Sequence, residues 1–403
     1  MKRIAIFNDY QLPLPAIRGG SVPTLTNFIL EQNEIEQKFE IDVYSCYDEN
    51  ALVESKKYKY ARFIYSKDAN KVRFVTNLKF VLKTKLHFPF DLSAIPLPKS
   101  AKQHFMQEKY DVVYINGYIR GAIPIINIAK EKGSAIIVHH HVVTDVLNEP
   151  TIPGKEIVDK SDRLLFVSEF AANYARVGCE KENSKMGVLL NAIDTNRFKF
   201  KDKFCVRKEI RDRLGFGEND IVILFVGRMV EGKGAFELIK GFNEADLGAS
   251  VKLMIVGGAT YSSRKVTPYI QKCFDEAKKN DNIIFTGYID YSEIPKYYAA
   301  SDISTMISLC DEAAGLVGIE SMAAGLPIIT TDRGGIGEYV AENCKIVTQD
   351  DDYLVQNITK AITTLVQDED MRNKMGSAGL ERSKIFDKAT YYVKFAEIVE
   401  SIN

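Results

Sequence analysis

Val222-Ile223-Leu224-Phe225-Val226-Gly227-Arg228-Met229-Val230-Glu231-Gly232-Lys233-Gly234-Ala235-Phe236-Glu237-Leu238-Ile239 reads as three pieces in a row. An unbroken apolar run of five residues makes a strand buried on both faces. A loop with three glycines follows, and then a helix with an apolar side opens. Strand, glycine loop, helix is the setting in which open α/β sheets bind phosphate. Arg228 adds charge as a fork and Lys233 as a point. The loop nearly matches the P-loop pattern Gly-x4-Gly-Lys-Ser/Thr, but Gly234 replaces the hydroxyl that would hold magnesium. Diphosphate binding without magnesium fits better than an ATPase, because the two cations can themselves neutralise a leaving group. The plainer alternative is a glycine turn with surface cations.

Outward from this stretch, strand-like runs alternate with amphipathic helical segments. One series comprises Ile4–Phe7, Ile41–Cys46, Val112–Ile115, Ala135–Val138, Leu164–Val167 and Val188–Leu190. A second comprises Val222–Val226, Leu253–Val256, Ile283–Phe285, Ile303–Ile307, Ile328–Thr331 and Lys345–Val347. Two series predict an α/β chain of two doubly wound, Rossmann-like domains facing across a cleft, each with a mostly parallel sheet. The charged stretch Lys199–Asp212 marks the boundary. Residues 1–198 form the first domain and 199–387 the second. Ligands of such sheets bind beyond the carboxyl ends of the strands, and the cleft is the natural place for a substrate.

Downstream, Asp311-Glu312-Ala313-Ala314-Gly315-Leu316-Val317-Gly318-Ile319-Glu320 straddles the start of another predicted helix. Gly315 reads as the turn into it. Small or apolar residues in the first turn leave backbone N–H groups open to an anion, which the helix dipole also favours. Glu320 lies about one turn inside, roughly 7 Å along the axis at 1.5 Å per residue. That spacing suits a carboxylate accepting from a ribose diol whose diphosphate rests on the helix end. Glu312 precedes the helix and reaches past the phosphates to whatever they carry. The alternative is that both are glutamates of the kind common near helix starts.

The bulk numbers agree with a soluble enzyme. The chain has 403 residues, 46% hydrophobic and 27% charged, with a net charge of −1. That balance argues against nucleic-acid binding by charge alone. Six cysteines are scattered without zinc or disulfide spacing, as in a reducing cytoplasm. No run of about 20 apolar residues offers a membrane span.

Four other features stand out. Arg18-Gly19-Gly20-Ser21 links the first strand to a helix expected near Thr24, and its glycines allow close backbone approach to a ligand or simply make a turn. His139-His140-His141 ends a strand; His139 and His141 can share a face, but no Cys/Asp cluster completes a metal set. Residues 55–90 hold ten Lys/Arg against one acid, interleaved with aromatics. That stretch reads as a docking surface for an anionic membrane, resting on Lys79, Lys83 and Lys85, or as a solvated basic face. Residues 389–403 form an amphipathic helix.

Gly227-Arg228-x4-Lys233-Gly234 followed by Glu312-x7-Glu320 resembles the retaining glycosyltransferases of family four, of GT-B fold and bacterial surface-polysaccharide type. Ser321-Met322-Ala323-Ala324-Gly325-Leu326-Pro327, Asp332-Arg333-Gly334-Gly335-Ile336-Gly337-Glu338 and Asn191-Ala192-Ile193-Asp194-Thr195-Asn196-Arg197-Phe198 resemble the same family. The likeness covers most of residues 160–345. It implies that Arg228 and Lys233 bind the donor diphosphate, that Glu320 holds the ribose, and that Glu312 contacts the donor sugar. It also implies that Gly19, Gly20, Gly227 and the amides of Gly315, Leu316 and Val317 line the donor. An active-site histidine is implied after the strand Ala135–Val138, at His141 or else His139. Residues 1–198 would then bind the acceptor, with residues 388–403 crossing back to them. Ala313, Ala314, Leu190 and Ala192 depart from the family pattern, and the two alanines lie where donor identity is set.

The function implied is transfer of a sugar, from a UDP-sugar by preference, to a glycan or lipid-linked acceptor in cell-surface polysaccharide synthesis. It would need no metal or other cofactor and would run in the cytoplasm, at the inner face of the membrane if residues 55–90 dock there. The alternatives are a sugar-nucleotide epimerase of the same fold or a non-catalytic partner subunit. A dinucleotide-dependent dehydrogenase is disfavoured, because Asn8–Ser21 lacks Gly-x-Gly-x-x-Gly.

Overall fold

The computed structural model describes residues 1–8, 10–69, 71–72, 74, 97–117, 122–143, 154–176, 184–259, 265–348 and 352–402. The chain divides into two compact units, Met1–Asn191 with Lys388–Asn403, and Ala192–Asp387.

The first unit runs β1 (Lys2–Asn8), α1 (Ser21–Glu36), β2 (Phe39–Cys46), α2 (Glu49–Ser55), β3 (Ala61–Ser66), α3 (Lys99–Gln107), β4 (Val112–Asn116), α4 (Ala122–Glu131), β5 (Ala135–His140), α5 (Gly154–Lys160), β6 (Arg163–Phe166), α6 (Glu169–Arg176) and β7 (Met186–Val188). Its seven strands are all parallel, in the order β3-β2-β1-β4-β5-β6-β7. Strand order therefore reverses between β1 and β4. Ile4, Ala5, Ile6 and Phe7 of β1 are wholly buried, as a central parallel strand covered on both faces requires. Phe7 stacks on Tyr44 at 4.2 Å.

The second unit runs α7 (Lys203–Leu214), β8 (Ile221–Val226), α8 (Ala235–Glu244), β9 (Val251–Val256), α9 (Pro268–Ala277), β10 (Ile283–Gly287), α10 (Ile294–Ala299), β11 (Ile303–Met306), α11 (Leu316–Ala323), β12 (Ile328–Thr331), α12 (Ile336–Tyr339), β13 (Lys345–Thr348), α13 (Leu354–Gln367) and α14 (Glu369–Ser383). Its six strands are parallel in the order β10-β9-β8-β11-β12-β13, reversing between β8 and β11. Arg211, buried on α7, fastens that helix to the sheet. It donates to Asp302 at 2.7 Å and to the carbonyls of Gly217, Glu218, Asp220 and Ala300.

The last helix, α15 (Lys388–Ser401), belongs to the first unit and lies against α1. Tyr392 donates to Asn33 at 2.8 Å, Lys388 pairs with Glu31 at 2.9 Å, and Phe395 meets Tyr114 edge-on at 5.0 Å. Lys2 donates from the first strand to the carbonyls of Val399 and Ile402.

Four details differ from the sequence reading. The second unit begins at Ala192 rather than Lys199, because the intervening segment is tied to it. Ile193 bridges Asp387, the Thr195 hydroxyl donates to Asp387 at 2.6 Å, and Phe198 packs edge-on against Tyr298. Helix α1 starts at Ser21, not near Thr24; Pro23 sits in the first turn, where a missing N–H breaks no helical bond. Strands β7 and β11 end one or two residues earlier than read. Strand β3 was not expected at all. It lies inside the basic, aromatic stretch 55–90, where Tyr65 donates to the carbonyls of Leu14 and Ala51 and Phe63 stacks on Tyr65 at 6.0 Å. Arg62 of that strand forks onto Asp42. Lys79, Lys83 and Lys85 lie outside the described residues. Among the described residues no helix is long and apolar enough to cross a membrane.

Candidate functional site

In the second unit, the glycine loop leaves β8 and the Glu312 loop leaves β11, the two strands between which the sheet order reverses. That switch point is where open parallel sheets accept ligands. The loop after β8 is held by Gly227 N–H to the Val256 carbonyl (3.0 Å) and Met229 N–H to the Gly258 carbonyl (2.9 Å). It ends in a short turn, Glu231–Lys233, and Gly234 enters α8 at φ +64°. A Cβ there would stand 2.1 Å from the Ile307 carbonyl oxygen, so only glycine lets the two loops pass this closely. Leu309 N–H donates to the Gly232 carbonyl at 3.0 Å, joining the loops directly.

These contacts bring Lys233 onto Glu312. The Lys233 ammonium and the Ser308 hydroxyl both donate to Glu312 Oε1. The Glu312 backbone is pinned in turn: it bridges Gly334 and accepts from Gly335 N–H at 2.7 Å. Arg228 is exposed and makes no ion pair among the described residues, which leaves its fork uncommitted. Gly315 caps α11 without a side-chain cap, and no acidic residue sits in the first turn. The amides of Leu316 and Val317 are therefore unclaimed by any capping side chain. Glu320, one turn on, is buried, and its Oε2 accepts from Tyr298 at 2.9 Å. Burial pushes its carboxyl up to about 7, opposed by that hydrogen bond and by Arg197. Burial thus keeps the proton on this carboxyl to higher pH than on a free glutamate.

In the first unit the candidates again sit at the switch point and the strand end beside it. Gly19 (φ +71°) and Gly20 (φ +98°) lead into α1, and Gly20 caps it without a side-chain hydrogen bond. Arg18 beside them pairs with Asp48. His139 is sealed in the core with Nδ1 2.8 Å from the Tyr114 hydroxyl, and His140 faces the other way, edge-on to Phe166. His141 is half-buried, its Nε2 2.8 Å from Asn116 Oδ1, its ring 4.2 Å from that of His139. Burial lowers all three imidazoles, His139 to about 3, His140 to about 4 and His141 well below its ordinary value. They are neutral at pH 7, and a neutral His141 with an accepting Asn116 oxygen donates from Nε2.

The structure thus gathers Lys233, Glu312, Gly315, Leu316, Val317 and Glu320 on the loops after β8 and β11 and on α11, with Arg228 and Gly227 opening the first loop. It places Gly19, Gly20 and His141 in the other unit. Sequence reasoning missed Ser308, Tyr298, Asn116 and Thr26. Asn116 Nδ2 donates to the Thr26 hydroxyl at 2.8 Å, and that hydroxyl in turn donates to Asn8 at 3.1 Å. The available signal was the position of Asn8 and Asn116, polar residues closing the two central apolar strands.

Among the described residues, one group has the composition of a metal site: Asp42, His104 and Glu108 of the first unit. Its oxygens are already taken. Arg62 donates to both Asp42 oxygens and to Glu108, and Arg3 donates to Glu108 at 3.0 Å. Two guanidiniums supply the charge that a cation would bring.

Residues 206–382 match the family described as Glycosyl transferases group 1. Over 93% of its length the chain is 24% identical to the putative glycosyltransferase YtcC of Bacillus subtilis, of which the match covers 85%. Over 56% of its length it is 28% identical to a Mycobacterium tuberculosis GDP-mannose-dependent alpha-(1-6)-phosphatidylinositol monomannoside mannosyltransferase, covering 58% of that protein. Among solved structures it resembles Anabaena HepE in complex with UDP-glucose, with a TM-score of 0.73 at 18% identity and full coverage of both chains. The sucrose-phosphate synthase of Thermosynechococcus elongatus gives the same TM-score and identity, over 99% of this chain and 98% of that one. The fold is GT-B.

Proposed function

We propose that this chain, a glycosyltransferase by its group 1 domain and its relatives, transfers a sugar from a nucleoside-diphosphate donor with retention of anomeric configuration. The observation that carries the reading is the junction of Lys233 and Glu312 beside the uncapped start of α11, with buried Glu320 one turn inside. A diphosphate leaving group gathers negative charge as the glycosidic bond breaks. Lys233, Arg228 and the Leu316 and Val317 amides stabilise that charge in place, and such fixed donors are usually the largest catalytic contribution. Glu320 accepts from the ribose, and Glu312 orients the sugar. Retention follows if the acceptor hydroxyl attacks from the leaving-group face and passes its proton to the departing phosphate. This chemistry asks no metal or other cofactor of the protein.

A UDP-sugar is the donor we favour; HepE, similar in fold, was solved with UDP-glucose. The mycobacterial relative is named for GDP-mannose, which makes GDP-sugars the first competitor. We assign acceptor binding to the first unit and take the acceptor to be a glycan or lipid-linked glycan for cell-surface polysaccharide. Contact with an anionic membrane would rest on the part of 55–90 beyond β3, since Arg62 is engaged in the sheet.

A thermal-shift panel of UDP-, GDP- and ADP-sugars tests the donor. Ligand at 100 times its dissociation constant stabilises by about 2.7 kcal/mol, so a true donor raises the melting temperature measurably. We expect UDP-sugars to do so, and Lys233→Ala to abolish the shift and slow transfer by about 100-fold or more. A panel in which no nucleotide-sugar shifts the melt would sink the reading. A shift by GDP-sugars alone would replace the donor.

A further inference from the structure

Tyr298 lies fully buried on α10, with Phe198 closing its ring edge-on at 5.5 Å. Its hydroxyl donates to Glu320 Oε2, and among the described residues the Glu320 carboxylate has no other hydrogen-bond partner. Glu320 Oε1 has no protein partner among them and is not sealed from solvent, so it is open to accept from a ligand. The titratable groups that act on this carboxylate are Tyr298 on α10, Tyr291 in the loop ahead of it, and Arg197 in the segment that precedes α7, while Asp194 of that segment acts on Tyr291. Arg197 lies 4.0 Å over the Tyr291 ring and donates to that residue's carbonyl, so the cation near Glu320 is itself held in place.

We propose that Tyr298 is a positioning residue for nucleotide recognition: by occupying Oε2 it fixes the Glu320 carboxylate and leaves Oε1 to accept from a ribose hydroxyl of the nucleoside diphosphate. The proposal rests on the reading of this site as the donor site. Tyr298 touches no substrate. It sets which oxygen faces the ligand and in which plane, and it biases the carboxyl toward its accepting, ionised form.

Calorimetric titration of the full chain with UDP and with 2′,3′-dideoxy-UDP, between pH 6 and 9, separates this role from a structural one. The two ligands share their phosphate titration, so their affinity ratio isolates the ribose contact, and within one sample the ratio is insensitive to the folded fraction. Wild type should prefer UDP by about tenfold or more, as expected for a hydrogen bond to a charged group. That preference should grow with pH through neutrality as Glu320 loses its proton. Tyr298→Phe keeps the packed ring. It should cut the preference to within about threefold, move its pH midpoint upward and leave dideoxy-UDP affinity unchanged, the loss of one charged hydrogen bond. An undiminished UDP preference in Tyr298→Phe overturns the proposal while the donor site stands. Wild type that binds neither UDP nor GDP removes the donor site, and the proposal with it.

Discussion

Burying Glu320 beside Tyr298 sets a cost to the fold that depends on pH. The folded carboxyl is raised from 4.5 to about 7. Below pH 4.5 both folded and unfolded states hold the proton and nothing is lost. Between 4.5 and 7 the unfolded chain releases it first, so stability falls as pH rises and levels off above 7. The shift corresponds to roughly 3 kcal/mol, at 1.36 kcal/mol per unit. Glu320→Gln should therefore match wild type near pH 4 and exceed it by about that amount at pH 8 in chemical denaturation. Equal stability at pH 8 would show that the carboxyl is not strained in the free protein. At this scale the sequence was legible where the candidate site is local. Lys233, Glu312 and Glu320 stand out because a glycine loop and a helix start frame them within a few residues. Ser308 and Tyr298 did not, because each acts through a partner on another element and carries no spacing of its own. His139 and His141 were legible as a same-face pair, yet only the packing of Tyr114 and Asn116 shows which ring is sealed.

Loops passing backbone to backbone are what hold Glu312. Gly334 has φ +67°, and a Cβ on it would lie 2.4 Å from the Glu312 carbonyl oxygen and 2.6 Å from its nitrogen. Gly334→Ala must push Glu312 off its bridge. Gly248 has a similar φ, +75°, with nothing within 4 Å of a Cβ. Both substitutions should cost about 1 kcal/mol of backbone strain. Only Gly334→Ala should also weaken UDP-sugar binding, by about tenfold or more, as expected when a site group is displaced by an ångström. Equal donor affinity in the two variants would remove Glu312 from the site. Most elements were readable from the chain because central parallel strands are unbroken apolar runs. The exception explains itself. β3 is an edge strand, half-exposed, with Arg62 among its aromatics, so it carries the composition of a surface. Its charge is spent on Asp42 and Glu108.

Across the whole molecule, the first unit is closed by residues nearly 400 positions from its start. Tyr391, Tyr392, Phe395, Ala396 and Val399 of α15 are buried there. At about 1.5–3 kcal/mol for each large side chain, ending the chain at Asp387 should cost the first unit on the order of 5–10 kcal/mol. Calorimetry of the shortened chain should show the transition of the second unit retained and that of the first lost or moved far down. An unaltered first-unit transition would mean that α15 is an appendage. Periodicity alone gave this helix one apolar face; what that face covers depends on a return path that no local pattern encodes. The return path also orders events during synthesis. Domains emerging from the ribosome generally fold from the N-terminus onward, but here the seven-stranded sheet waits for Lys388–Ser401 with the α1 surface bare. The half made first is therefore the half finished last, and it is the one that must be shielded from aggregation while the other is translated.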